Sequence, residues 1–194
     1  MGVSCICRTV FLAVGMIAMA QTSAELEQLL DDAKRRLVRL APSAFPGLPR
    51  RVIADLERRR CTIPQSAGPA TPNNVIRGEF ARPGQIDFAV LCSVNQVSSI
   101  LVFWSGSAET PADLEPFPDS NFLWIEDGVQ GSPFGRSLRT VGANYILEHN
   151  REPTDLDAVP SLLDHQGIED GAFDKGSSIH YFHNGTWLTL AGAD

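Results

Sequence analysis

The spacing of hydrophobic and polar residues changes about one third of the way along the chain. Residues 25–40 place apolar side chains three or four positions apart, which predicts an amphipathic helix; the stripe is Leu26, Leu29, Leu30, Ala33, Leu37 and Leu40. Prolines between residues 42 and 49 end this helix. A second short helix is predicted to begin at Pro49, to bury Val52, Ile53 and Leu56, and to expose Asp55, Arg58 and Arg59.

After a loop rich in Pro, Gly and Asn at residues 63–74, the pattern becomes that of strands. Three runs rich in β-branched and aromatic residues, 75–80, 86–93 and 98–104, are separated by short turns and predict an antiparallel meander. Further strands are predicted at 121–125, 145–149, 177–183 and 186–190. Asn184-Gly185 between the last two is a strong hairpin signal.

These elements predict an α+β fold in which two N-terminal helices pack on one mostly antiparallel sheet of six or seven strands, with blade-like hairpins. The helical stripe needs an apolar surface, and a sheet supplies one. Residues 21–194 are long enough for a single globular domain with its own core. It would comprise a helical segment at 21–60 and an antiparallel β-rich part at 73–194.

The first twenty residues have the pattern of a cleavable signal peptide. Arg8 precedes an uncharged apolar run at 10–20, which ends in the small residues Ala18 and Ala20. The run is too short to span a bilayer, which takes about 20 helical residues. We predict cleavage after Ala20, or alternatively after Ala24, and export to the periplasm or the extracellular space without a transmembrane segment.

The cysteines of the mature chain are also consistent with export. Cys5 and Cys7 would leave with the signal peptide, so the mature chain would keep Cys61 and Cys92. An even pair in an oxidising compartment predicts a disulfide. Two buried free thiols are the alternative.

Charge is distributed unevenly along a chain whose formal net charge is −7. Nine of its sixteen basic residues lie in 34–60, whereas acidic residues predominate after Thr110. The basic residues fall mostly on predicted helix faces that water would cover in any case. An acidic chain without a basic groove is not predicted to bind nucleic acid.

One segment resembles a known repeat. Gly78-Glu79-Phe80, followed by the run from Pro83 to Val90, resembles the integrin-type FG-GAP repeat across residues 75–104. That family forms antiparallel propeller blades and often binds calcium in the turn through Asp or Asn side chains. The resemblance implies a blade-like meander, and it leaves only Asp87 as a possible calcium ligand.

A second resemblance covers more of the chain. The segments Cys61-Thr62-Ile63-Pro64-Gln65, Leu91-Cys92-Ser93, Ile179-His180-Tyr181 and Trp187-Leu188-Thr189 make the chain similar to a widespread class of uncharacterised bacterial exported proteins. This resemblance supports export and implies no particular activity.

Candidate chemistry is concentrated in residues 164–174. Asp164 and His165 are the candidate catalytic residues, because a histidine beside a carboxylate suits general base catalysis. Asp170 and Asp174 are the candidate metal ligands. The alternative is a solvated turn in which Asp side chains bond nearby backbone N–H groups. His180 and His183 would face opposite sides of a strand, which disfavours a metal pair.

No nucleotide-binding loop, dinucleotide fingerprint, His-Glu-x-x-His or Cys-x-x-Cys motif is present, and no cofactor is predicted. The sequence therefore favours a non-catalytic binding or structural module with a protein or cell-surface partner. The alternative is a hydrolase or metal-dependent enzyme that uses the Asp164-His165 loop.

Overall fold

The computed structural model describes residues 23–68, 71–125, 131–149, 163–173 and 175–192. The predicted signal peptide, residues 1–20, and Asp174 lie outside these ranges. Within them the predicted α+β class is confirmed. None of the helices in these ranges is long and apolar enough to cross a membrane.

Three α-helices, three short 3₁₀ helices and ten strands make up the described fold. Residues 23–36 are the described part of helix α1, and the other two helices are α2 (Arg50–Arg58) and α3 (Ala143–His149). The strands are β1 (Arg39–Leu40), β2 (Ile63–Pro64), β3 (Val75–Gly78), β4 (Asp87–Val94), β5 (Val97–Phe103), β6 (Ala112–Pro118), β7 (Arg136–Val141), β8 (Gly167–Ala172), β9 (Gly176–His183) and β10 (Thr186–Ala191).

The strands form two large sheets instead of the single sheet predicted. One has the order β3-β4-β5-β6 and the other β10-β9-β8-β7, while β1 and β2 form a separate small pair. All these pairings are antiparallel, and each large sheet is built from consecutive strands. The predicted meander and the Asn184-Gly185 hairpin are both present, and both turn residues have positive φ.

The two sheets pack face to face between helices and give four layers. On the outside, Val52 and Leu56 of α2 pack against Val90 and Leu101 of the first sheet. The inner face of that sheet packs against the second sheet through a cluster of buried residues that includes Ala89, Leu91, Ile100, Val102, Leu138 and Ile168. Helix α3 then covers part of the outer face of the second sheet, with Ile146 against residues that include Val141, Ile179, Tyr181 and Leu190.

A buried arginine connects the two sheets. Arg136 of β7 has no exposed surface, and its guanidinium forms an ion pair with Asp170 of β8, with Nη2 2.8 Å from Oδ2. It also donates to the backbone carbonyls of Ser98, at 2.8 Å, and Glu115, at 2.9 Å. The β5–β6 pairing is irregular between Ser98 and Ile100, and Glu115 opposite has a φ of 50°. This bulge gives the arginine an acceptor from the neighbouring sheet.

Two predicted strands are wrong. Residues 145–149 lie in helix α3, where Ile146 is fully buried against the second sheet. Most of 121–125 is not strand, because a short 3₁₀ helix runs to Phe122. The strand in that region is β6, which carries Pro116 and Pro118 and lies at the edge of its sheet, where a missing N–H is tolerated.

The helical segment also differs from expectation in its burial. Asp55 is buried instead of exposed, and it accepts hydrogen bonds from Arg58 and Arg59. Burial raises the pKa of Asp55, but these hydrogen bonds outweigh burial and lower it below its usual value. Leu26 and Leu29 of α1 are exposed, so the predicted apolar stripe of that helix is only partly buried.

The predicted disulfide between Cys61 and Cys92 is confirmed. The two Cα atoms are 5.4 Å apart, within the usual range for a disulfide. Cys61 follows α2, and Cys92 lies in β4, and both belong to the core cluster that α2 shares with the first sheet. The bond therefore fastens the outer helix to the sheet beneath it.

Candidate functional site

A groove of about 880 Å³ lies on the part of the second sheet's outer face that α3 leaves uncovered. Its floor is a row of small residues on three neighbouring strands: Ser137 of β7 lies opposite Gly171 of β8, which lies opposite Ser177 of β9. A volume of this size is typical of ligand-binding pockets.

Small side chains keep the groove open. A Cβ atom at Gly171 would lie 3.3 Å from the Ser137 hydroxyl, and one at Gly135 would lie 3.1 Å from the Phe173 Cβ. The close approach of these strands and loops therefore favours glycine at both positions. No side chain from the floor is large enough to fill the space above it.

One wall is formed by the loop before β3 and is tied to β7 by Asn74. The Asn74 side-chain amide donates to the carbonyls of Pro64, at 2.7 Å, and Arg136, at 3.2 Å. The side-chain oxygen of Asn74 accepts a hydrogen bond from the backbone N–H of Leu138 at 3.0 Å. Asn74 has a φ of 66°, a conformation that Asn adopts more readily than most residues. These bonds occupy backbone groups on the outer edge of β7.

Two aromatic rings form the opposite rim. Trp124 and Phe173 pack edge to face with an interplanar angle of 87°. Phe173 is 55% exposed, although its backbone N–H is held by the Gly135 carbonyl at 2.9 Å. The ring is therefore positioned by a backbone hydrogen bond and by Trp124, and it remains accessible from the groove.

The inner end of the groove, next to α3, contains a buried carboxylate. Glu169 accepts hydrogen bonds from the Tyr145 hydroxyl at 2.9 Å and the Ser177 hydroxyl at 3.0 Å, and it forms an ion pair with Arg139. Burial, the hydrogen bond to Glu169 and the charge of that carboxylate together raise the pKa of Tyr145, which favours its role as a hydrogen-bond donor.

The lining is therefore polar on the floor, aromatic on the rim and close to neutral overall. Glu169 and Lys175 are its two charged side chains among the described residues. Glu169 is already paired with Arg139, and the Lys175 ammonium donates to the Asn121 carbonyl at 2.8 Å. Such a lining can bind an uncharged ligand through hydrogen bonds and ring contacts.

Of the predicted catalytic and metal residues, Asp164, His165 and Asp170 are described, and these three do not form a metal-binding cluster. Asp164 is exposed and His165 is buried, with its Nδ1 3.1 Å from the Gln166 carbonyl. Asp170 is bound to Arg136 between the sheets. In the described ranges no group of three or more His, Cys, Asp or Glu side chains is arranged to hold a metal ion.

The two terminal histidines face opposite sides of β9, as predicted. His180 is 1% exposed on the inner face, and its Nδ1 lies 3.0 Å from the Thr189 hydroxyl. His183 lies on the other face, partly exposed, with its Nε2 2.9 Å from the Asn184 amide. Their alternation follows from the two-residue period of a strand.

Asp87, the possible calcium ligand, is fully buried and has protein donors on both oxygens. One oxygen accepts from the backbone N–H groups of Phe80, at 3.1 Å, and Ala81, at 3.0 Å. The other accepts from the Ser105 N–H and the Gln85 amide, both at 2.8 Å. The carboxylate fixes the turn between β3 and β4.

Sequence reasoning missed the groove because it missed two of the strands that form its floor. The alternation of polar and apolar residues in β7 was the available signal, but Arg136 interrupts its apolar face. Strand β8 contains two glycines and two acids, a composition that favours loops.

Comparisons of the whole chain with protein-family models, with curated proteins and with solved structures found no match.

Proposed function

We propose that this chain is an exported domain that binds a ligand in the groove above Ser137, Gly171 and Ser177 and does no chemistry on it. The observation that carries the proposal is the combination of an open, small-residue floor with an exposed Phe173 at the rim that packs against Trp124. A groove of this size with an aromatic ring on its rim and polar groups on its floor is the usual form of a small-ligand site.

Export is supported by two separate features. The Cys61–Cys92 disulfide is of a kind that persists in oxidising compartments. The pattern of residues 1–20 is that of a secretion signal. A binding domain outside the cytoplasm would meet cell-surface components or other exported proteins, and the blade-like meander suggested by the FG-GAP resemblance suits that role.

The groove can be tested by filling it. Ser137→Trp places a large side chain on an exposed floor position. Thr186→Trp, at an exposed position of the same sheet away from the groove, is the matched control. Short peptides, oligosaccharides and fatty acids are added at millimolar concentration and melting temperatures are measured, since a ligand of the folded state raises them.

We expect one class to raise the melting temperature of the wild type and of Thr186→Trp, but not of Ser137→Trp. A compound that stabilises all three proteins equally, or the absence of any stabilising compound, would contradict the proposal.

The second candidate is a hydrolase or metal-dependent enzyme at Asp164 and His165. The observation that favours it is the burial of His165 beside the exposed Asp164. Melting the protein with a chelator, and then with calcium or zinc, tests the metal-dependent form of this candidate. We expect no shift with the chelator, and a rise of several degrees with either metal would favour the enzyme.

A further inference from the structure

We propose that the ligand of the groove is an uncharged oligosaccharide, whose sugar rings stack on Phe173 while their hydroxyl groups bond to the floor. This inference rests on the proposed binding function and adds the chemical class of the ligand. It is drawn from three properties of the lining: its aromatic rim, its charge and its free polar atoms.

The aromatic rim matches the apolar faces of sugar rings. Pyranose rings carry C–H groups on their faces and hydroxyl groups around their edges, so they pack flat against aromatic rings. Phe173 offers such a surface, being 55% exposed and braced by Trp124. The contact with Trp124 matters because a ring restricted before binding loses less conformational entropy when a ligand binds.

The charge of the groove disfavours ionic ligands. Glu169 is neutralised by Arg139, and the remaining described charge in the lining is the single ammonium of Lys175. Nucleic acids and strongly acidic polymers need several basic groups. A neutral sugar chain carries no charge that would have to be desolvated without a partner.

Polar atoms on the floor and wall remain available for hydroxyl groups. No group in the described part of the chain bonds to the Ser137 hydroxyl, which lies on the exposed side of β7. The Asn73 side-chain oxygen accepts from the Ser66 N–H at 2.9 Å, and the Asn73 amide nitrogen donates to no acceptor within the described residues. Sugar hydroxyls donate and accept, so they can satisfy both kinds of group.

An extended peptide fits less well. Peptides that join a sheet do so by pairing with the backbone of an open strand edge. The outer edge of β7 is already bonded at two points, because Asn74 accepts from the Leu138 N–H and Ser66 donates to the Arg136 carbonyl. The groove therefore presents side chains from the face of the sheet instead of a free strand edge.

Calorimetric titration of the purified protein with short cello-oligosaccharides and chito-oligosaccharides tests this assignment. Phe173→Ala should weaken binding by about tenfold or more, the loss expected for one stacked ring. Phe173→Tyr should keep binding within a few-fold, because it retains the ring. Val97→Ala, at another exposed apolar position, is the matched control, and Ser137→Trp should abolish binding.

The outcomes separate the two proposals. If peptides or fatty acids bind in a manner that Ser137→Trp abolishes, and both sugars fail to bind, the oligosaccharide assignment is wrong and the binding groove stands. If the sugars bind equally well to Ser137→Trp and Phe173→Ala, both the assignment and the groove are wrong.

Discussion

At the scale of single residues, Arg136 is the largest side chain that the described fold buries completely. Its partners are Asp170 on its own sheet and the carbonyls of Ser98 and Glu115 on the other. Removing the cation would leave a buried carboxylate and two carbonyls without their donor. Breaking a buried ion pair in this way typically costs about 3–5 kcal/mol.

We therefore expect Arg136→Met to lower the free energy of unfolding by about 3–5 kcal/mol, measured by urea denaturation. Arg35→Met, which removes an exposed partner of Asp32, is the control and should change it by about 0.5 kcal/mol or less. The double variant Arg136→Met, Asp170→Leu should recover part of the loss. An effect of Arg136→Met as small as the control's would show that the pair is not buried.

His180 makes the stability of the fold depend on pH. Burial lowers its pKa, and the nearby Asp170 and Glu115 charges, which act in the opposite sense, do not compensate. The unfolded chain takes up a proton near pH 6.5, whereas the folded chain resists doing so. Stability should therefore fall as the pH drops below about 6.5, by at most about 1.4 kcal/mol per pH unit from this group.

Urea denaturation of the wild type and of His180→Gln between about pH 8 and pH 5.5 measures this contribution. We expect the wild type to lose stability relative to the variant as the pH falls, with no change in their difference above about pH 7.5. A difference that is the same at every pH would exclude His180 as the source.

At the scale of elements, the Cys61–Cys92 bond closes a segment with a sequence separation of 31. In the chain-entropy treatment, a loop of this length stabilises the folded state by about 3–4 kcal/mol. Cys61→Ala and Cys92→Ala should each lower the melting temperature, and the double variant should lose no more than either single one. Reductant should lower the melting temperature of the wild type alone.

Peptide mapping under non-reducing conditions provides an independent check on this bond. The recovery of free Cys61 and Cys92 thiols from exported protein would contradict it.

Elements specified by their own residues were predictable from the sequence, and those specified by their surroundings were not. Asn184 and Gly185 readily adopt the positive φ that a tight hairpin needs, so the β9–β10 hairpin could be predicted. Pro116 and Pro118 predict a loop, because proline is tolerated in a strand mainly at a sheet edge. No local pattern shows that β6 lies at such an edge. The α3 segment contains strand-favouring Tyr145 and Ile146, and packing against the second sheet determines its helical state.

At the scale of the whole molecule, the described part of helix α3 and the groove occupy different ends of the second sheet's outer face. The helix packs near Val141 and Tyr181, whereas the groove lies over the row from Ser137 to Ser177. No local pattern encodes this division, since it depends on how β7, β8 and β9 align. The sequence located Glu169 and Asp170 in a polar segment, but only the strand register shows that they face opposite sides of the sheet.

Because each large sheet consists of consecutive strands, the order of synthesis is also an order of assembly. Helix α2, both bonded cysteines and all of β3 to β6 have been made before Arg136, the first residue of β7, is added. The first sheet can therefore form on α2 while the second is still missing, because all the strands that pair within it have already been made. A chain interrupted at that stage would have only the first sheet, with Ala89, Leu91 and Ile100 on its inner face exposed to water. We expect the protein to be most prone to aggregation at that stage, because exposed apolar surface promotes association.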